Sequence, residues 1–301
     1  MTKNVTRGIA LKLAQTLFFA LMYAAIKLAP GAPIGEVVFF RCFFALIPLV
    51  VFTHYTVGFW AAIRTEKPFY HFLRSGIGSI SMFFNFLAVQ LLPLATVTAF
   101  GFLQPLFVTM MATPLLGERV GPWRWGAVVV GFAGILMMQE PHGGLAALAA
   151  LKLSRGVACA LAFAFLWALV VILIRQMSRT ERGEAIVFYF MSWGAIIGGA
   201  VMAFEHPMLD LRTVAWLTVS GLIGGIGQIA LTYCYRYAES SLLAPFDYAL
   251  MLWAVTLGVF VFGEIPEPMV LGGAGVVIAA GLFIAWREHR LQVDRPPAAV
   301  T

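Results

Sequence analysis

The sequence predicts an all-α integral membrane protein, with ten transmembrane helices arranged as two inverted five-helix repeats. Three observations carry that prediction. First, 61% of the 301 residues are hydrophobic and only 11% are charged, against about 25% charged in a soluble domain. Second, apolar stretches of the length that crosses ~30 Å of hydrocarbon recur ten times. Third, Leu115-Leu116-Gly117-Glu118, followed by an apolar Gly-rich run, returns as Val261-Phe262-Gly263-Glu264 with another such run. The two Gly-Glu pairs stand 146 residues apart, and at that offset Ile77, Gly78, Ile80, Phe100 and Gly126 meet Ile223, Gly224, Ile226, Phe246 and Gly272. Strand-like alternation is absent, so helices are left to satisfy the backbone in lipid.

The predicted spans, in order, begin with 9–29. It follows Lys3, Arg7 and Lys12, but its apolar run is too long for a secretory signal core, and a second span, 34–53, starts almost at once. It therefore reads as an uncleaved helix. Spans 71–92, 95–116 and 122–139 complete a first repeat over 1–139. A Gly/Ala-rich linker occupies 140–155. Spans 156–175, 184–204, 213–237, 241–262 and 269–286 form the second repeat, 156–286, before a polar tail at 287–301. The glycines of Gly221 to Gly227 resemble a dinucleotide-type spacing, but they lie inside a helix with no preceding strand, so they read as close helix packing. Gly272-Gly273-Ala274-Gly275 reads the same way. Cys42, Cys159 and Cys234 each fall inside a span and have neither disulfide nor ligand spacing.

Charge sets the orientation. With the N-terminus inside, Lys3, Arg7, Lys12, Arg64, Lys67, Arg74, Arg119, Arg124, Arg175, Arg179, Arg182, Arg236, Arg287, Arg290 and Arg295 fall on the inner side. These are fifteen of the twenty basic residues. Lys27, Arg41, Lys152, Arg155 and Arg212 remain outside. The positive-inside rule thus predicts ten spans with both termini cytoplasmic. Because each half holds five spans, the second enters the membrane in the opposite direction. The net charge of +6 describes this orientation and not nucleic-acid binding, since the basic residues sit in short loops.

Leu116-Gly117-Glu118-Arg119, Trp125-Gly126, Gly131-Phe132-Ala133-Gly134, Phe262-Gly263-Glu264, Gly272, Gly275, Gly281 and Phe40-Arg41-Cys42-Phe43 together carry a resemblance. The chain resembles the drug/metabolite transporter superfamily, specifically its EamA-type ten-helix family, over residues 8–286. One departure is Ile265-Pro266-Glu267-Pro268, where the first half has Arg119-Val120-Gly121-Pro122. The resemblance implies a secondary-active carrier in the bacterial inner membrane, working by alternating access on a small metabolite. Members of the family handle amino acids, nucleosides, S-adenosylmethionine, riboflavin and drugs. No phosphate loop or nucleotide-binding domain is present, so a gradient must supply the energy, with protons as the candidate coupling ion. No cofactor and no metal site are expected. A monomer and a homodimer are both compatible with the sequence.

Polar side chains at membrane depth are costly and therefore mark candidates. Tyr23, Asn85, Gln104, Trp167, Gln228 and Tyr248 form the expected substrate-binding set. Asp247 lies seven residues into its predicted span and is the candidate for proton coupling or for a substrate cation; pairing with a neighbouring helix, through Arg236 or a tyrosine, is the alternative. Arg41 is expected either as a gate or anion anchor, or as a snorkelling residue paired with Glu36. Lys27 and Arg175 read as interfacial anchors. Glu118 and Glu264, at helix ends, read as pins of the hairpins between adjacent spans. Amides and tyrosines dominate this set, which points to a neutral or zwitterionic, ring-containing solute, with riboflavin as the most specific expectation. An intramembrane enzyme is disfavoured because all five histidines fall at loops or helix ends and Asp247 has no second aspartate beside it. A non-transporting scaffold or sensor is the remaining class.

Overall fold

The computed structural model describes residues 5–116, 122–139, 154–178, 180–205, 210–237 and 243–293. Among them the elements are α1 (Val5–Lys27), α2 (Ile34–Thr56), α3 (Phe59–Ile63), α4 (Pro68–Leu91), α5 (Leu94–Gly101), α6 (Gln104–Leu116), α7 (Pro122–Gln139), α8 (Arg155–Met177), α9 (Gly183–Glu205), α10 (Leu211–Tyr237), a 3-10 turn (Ala244–Tyr248), α11 (Ala249–Phe262) and α12 (Pro268–Val293). Seven segments are long and apolar enough to cross a membrane, the α5–α6 run from Leu94 to Met111 among them, and three shorter apolar stretches lie at Trp125–Met138, Phe246–Phe262 and Pro268–Phe283. The Gly117-Glu118 copy of the repeated motif and most of the predicted linker lie outside the described residues.

Proline sets many of the helix starts. Pro33 and Pro93 precede α2 and α5, Pro68 opens α4, and Pro245 falls in the first turn of the 3-10 segment. Its fixed φ suits a helix entrance, and the N–H it lacks would have had no intrahelical partner there. Ser154 caps α8 by accepting a hydrogen bond from the Val157 N–H at 3.3 Å. The end of α11 is set by Gly263, at φ 67° in the left-handed region that favours glycine. Beyond it the Glu264 N–H returns to the Gly258 carbonyl at 2.9 Å.

Two predicted spans are not continuous helices. The fourth breaks at Phe102–Leu103 into α5 and α6, and in the ninth the 3-10 turn stands between Leu243, itself helical, and α11. Gly101 ends α5 and Asp247 sits in the 3-10 turn, so the interruptions fall at positions matched by the 146-residue offset. Asp247 therefore sits at an interruption of its span and not inside a continuous helix.

The helices pack between halves more than within them. The principal neighbours are α1 with α10, α2 with α9, α4 with α8, and α7 with α12, with further contact of α2 to α10, α4 to α9, α1 to α11 and α6 to α8. Exchanging each helix for its repeat counterpart returns the same set of pairs. Glycine makes the closest approaches possible. A Cβ on Gly221 would stand 2.6 Å from the Phe40 carbonyl, and one on Gly134 would stand 2.7 Å from the Gly273 carbonyl. The glycine-rich stretches thus serve packing in α10 and α12, as their sequence context predicts. One large apolar core, including Phe86, Phe100, Leu103 and Leu106, runs through the contacts of α1, α2, α4, α5 and α6 with α8–α12.

Candidate functional site

Helical spacing on α1 and α4 gathers polar groups along one face of each. On α1 the row is Lys12, Thr16, Tyr23 and Lys27, and on α4 it is Arg74, Gly78, Ser81 and Asn85; both follow the three-to-four-residue period of a helix face. Between these rows the Asn85 Nδ2 donates to the Tyr23 hydroxyl at 3.0 Å. Asn85 is buried, and its Oδ1 has no hydrogen-bond partner. Two residues of the expected substrate set are thus brought together, with one acceptor left over. Ser81, on the same face, donates to the Phe163 carbonyl of α8 at 3.2 Å.

Two arginines are also buried in the bundle. Arg41 enters from α2, is 5% exposed, and is not paired with Glu36; its Nε approaches the Met22 sulfur at 3.3 Å and its Nη1 the Met191 sulfur at 3.0 Å. Thioethers are weak acceptors. Arg74 enters from α4, is 2% exposed, and lies with its guanidinium 3.9 Å from the centroid of the Phe190 ring. Its Nε and Nη1 have no hydrogen-bond partner. Sequence reasoning counted Arg74 among the inner-loop cations, whereas the fold buries it. An arginine at the centre of a lone membrane helix costs on the order of 3 kcal/mol, so this burial needs a reason. Trp167, another member of the expected set, is close by, with its ring 6.2 Å from Phe163 and 6.5 Å from Phe190.

Asp247 has a partner that the sequence reading missed. Its carboxylate stands 2.6 Å from the Lys12 ammonium, with Lys12 1% and Asp247 47% exposed. Lys12 also donates to the Tyr235 hydroxyl at 3.2 Å. Among the described residues the counter-charge of Asp247 is thus Lys12 on α1. The signal that could have found the pair was the position of Lys12 on the polar row of α1. At the other end of α1, the Lys27 ammonium pairs with Glu264 at 2.5 Å and donates to the Leu92 carbonyl at 2.6 Å. The second Glu264 oxygen accepts the Leu94 N–H at 3.2 Å. Glu264 therefore reaches α1 and the start of α5, and does not pin the hairpin to α12.

Gln104, Gln228 and Tyr248 do not join the Tyr23–Asn85 pair. Gln104 starts α6, and Gln228 is half-buried on α10. Tyr248 packs its ring 4.9 Å from Phe102, with its hydroxyl against Gly281 of α12. Trp253 instead ties α11 to α1, donating from Nε1 to the Thr16 hydroxyl at 3.2 Å. At the α4 entrance, Glu181 accepts the Glu66 and Lys67 N–H groups, each at 3.1 Å, and stands 3.1 Å from the His71 Nε2. Among the described residues no group of three His, Cys, Asp or Glu side chains is placed to hold a metal ion.

A bundle of apolar helices with interrupted spans and a buried polar core defines a multi-pass membrane protein. The chain belongs to the EamA-like transporter family, whose model matches residues 6–139 and again 154–286. It is similar to a riboflavin transporter of Rhizobium johnstonii, 29% identical over 79% of this chain and 76% of that one. An S-adenosylmethionine uptake transporter of Rickettsia bellii is 28% identical over 85% of this chain and 84% of its own. A riboflavin transporter of Vibrio cholerae is 26% identical over 97% of this chain and 94% of its own. A solved crystal structure superposes with TM-score 0.63 at 17% identity, covering 95% of this chain and 99% of its own, and that likeness concerns the fold alone.

Proposed function

We propose that this chain is a secondary-active carrier that moves a small metabolite across the bacterial inner membrane by alternating access. In this reading it is ten helices in two inverted five-helix repeats, with both termini cytoplasmic and no enzymatic step. The observation that carries the reading is the set of helix pairs that maps onto itself under exchange of the halves, closed around a buried polar core. An inverted repeat with interrupted helices near the binding site is the architecture in which two states of equal make-up can face opposite sides. Tyr23, Asn85 and Trp167 line the solute position, with Arg41 beside them. The relatives named for riboflavin and for S-adenosylmethionine support a ring-containing metabolite, riboflavin being the first to try. Purified protein in liposomes preloaded with unlabelled riboflavin or S-adenosylmethionine should accumulate the labelled compound by exchange. Absence of exchange with both compounds, and with a wider panel of amino acids and nucleosides, would sink the reading.

Asp247 and Lys12 form the proposed coupling pair. A proton on Asp247 abolishes the charge that holds Lys12 and so loosens α1 from the 3-10 turn that precedes α11. Uptake driven by an inward proton gradient should lose its gradient dependence in Asp247→Asn. A variant that keeps the wild-type response to the gradient would remove Asp247 from the coupling.

A further inference from the structure

The chain neutralises two of its buried or half-buried lysines internally, Lys12 with Asp247 and Lys27 with Glu264. Arg41 and Arg74 are treated differently. Both are at least nine-tenths buried, and no carboxylate pairs with either among the described residues. They come from helices that start at opposite ends of the bundle, yet they converge on one turn of α9, Arg41 against Met191 and Arg74 over Phe190. Cys42, next to Arg41 on α2, sets its sulfur 3.6 Å from the Met82 sulfur of α4, the helix that carries Arg74.

We infer that Arg41 and Arg74 together hold the anionic group of the transported solute, which therefore carries a carboxylate or another single negative charge. This rests on the carrier reading above. Stacking on Phe190 occupies the face of the Arg74 guanidinium and leaves its N–H donors in the plane, the geometry that takes a carboxylate by two parallel hydrogen bonds. The Arg41 contacts to sulfur are weak enough for an oxyanion to replace. The free Asn85 Oδ1 is the matching acceptor for a donor on the same solute, which suits a zwitterion better than a solute with no charge. Two unpaired cations buried in a low dielectric are costly, and an anion bound to them offsets that cost.

The test uses the full chain with Arg41→Gln, Arg74→Gln and Arg74→Lys. Unfolding in detergent without solute comes first. Removing an uncompensated charge should leave the midpoint unchanged or raise it in both Gln variants; a fall of several degrees in either makes that arginine a structural residue and overturns the inference. Transport in liposomes follows, with S-adenosylmethionine, its decarboxylated analogue and riboflavin as probes. Uptake of the carboxylate-bearing probe should fall about tenfold or more in the Gln variants, as expected when a buried charge pair loses one member, and Arg74→Lys should keep part of it. The decarboxylated analogue should be a poor substrate of the wild type. Riboflavin, which has no carboxylate, carried equally by the wild type and both Gln variants would overturn the inference while the carrier reading stands. No flux of any probe or wider metabolite would sink the carrier reading itself, and the unfolding midpoints still decide whether the arginines are structural.

Discussion

Glu264 shows how a single carboxylate can join three helices. One oxygen takes the Lys27 ammonium and the other the Leu94 N–H, while Lys27 holds the Leu92 carbonyl, so α1, α5 and the end of α11 meet at one point. Removing one member leaves the other partly buried without its counter-charge, so Lys27→Ala and Glu264→Gln should each lower stability by about 2 kcal/mol, below the range for fully buried pairs. The double variant should lose less than the sum, with a coupling of about 1–3 kcal/mol in a double-mutant cycle on detergent unfolding. Strict additivity would show that the two side chains act independently. Glu181 gives a pH-dependent counterpart at the α4 entrance. Burial pushes its carboxyl up, but hydrogen bonds from His71, Thr65 and the Glu66 N–H, with attraction to His71, outweigh this and hold it below its ordinary value of 4.5. A depressed carboxyl contributes stability that is complete above 4.5 and is lost as pH falls through the folded-state value. The stability difference between wild type and Glu181→Gln should therefore be constant near neutral pH and shrink under acid conditions. A difference that is flat across the acid range would remove Glu181 from the acid response.

The Gly263-Glu264 copy of the motif has a physical explanation at the level of the element. Gly263 turns the chain out of α11 through a left-handed conformation, and that turn aims the next side chain back across the bundle toward Lys27. A Cβ at φ 67° is strained whatever space surrounds it, so Gly263→Ala should cost about 1–2 kcal/mol and loosen the Lys27–Glu264 pair with it. Thermal unfolding of Gly263→Ala measures the first effect, and an unchanged midpoint would mean that the helix end is free to refold locally. Seven of the ten predicted spans return as segments long and apolar enough to cross a membrane, because length and hydropathy mark such a helix, and most predicted boundaries fall within a few residues of the elements. The breaks were not legible. Phe102–Leu103 and the 3-10 turn at Asp247 lie inside mainly apolar runs, where hydropathy has little contrast and only single residues, Gln104 and Pro105 in one and Pro245 and Asp247 in the other, hint at interruption. The polar pairs were legible as residue types and not as partners. Asn85 and Tyr23 stand 62 positions apart and Lys12 and Asp247 stand 235 apart, so helix packing decides their meeting. Arg74 was missed because, three residues inside the predicted span 71–92, it was counted with the inner-side cations, although the Arg74, Gly78, Ser81, Asn85 spacing marks it as part of the inward face.

For the molecule as a whole, α1 and the ninth span are fastened at both ends, by Lys12–Asp247 toward the N-terminal end and by Lys27–Glu264 some fifteen residues, or roughly 22 Å, along α1. A bundle that offers its polar core to each side in turn cannot keep both fastenings closed throughout the cycle if the solute passes between these helices. The C-terminal fastening is the stronger candidate for a gate, because it also draws in the start of α5 and so closes three elements over the core. Its opening is testable with Lys27→Cys and Glu264→Cys in a background from which the buried Cys42, Cys159 and Cys234 have been replaced. Linking the two introduced thiols with a short reagent should stop exchange in liposomes, and a cleavable linker should restore it on reduction. The same linkage between Lys12→Cys and Asp247→Cys should also arrest exchange, with the core then trapped open to the opposite side, as read by the accessibility of a cysteine at Asn85. If fully linked Lys27→Cys/Glu264→Cys protein exchanges solute at the unlinked rate, α1 and α11 travel as one body. The path to the Tyr23–Asn85 pair would then open along α4 and α8 instead.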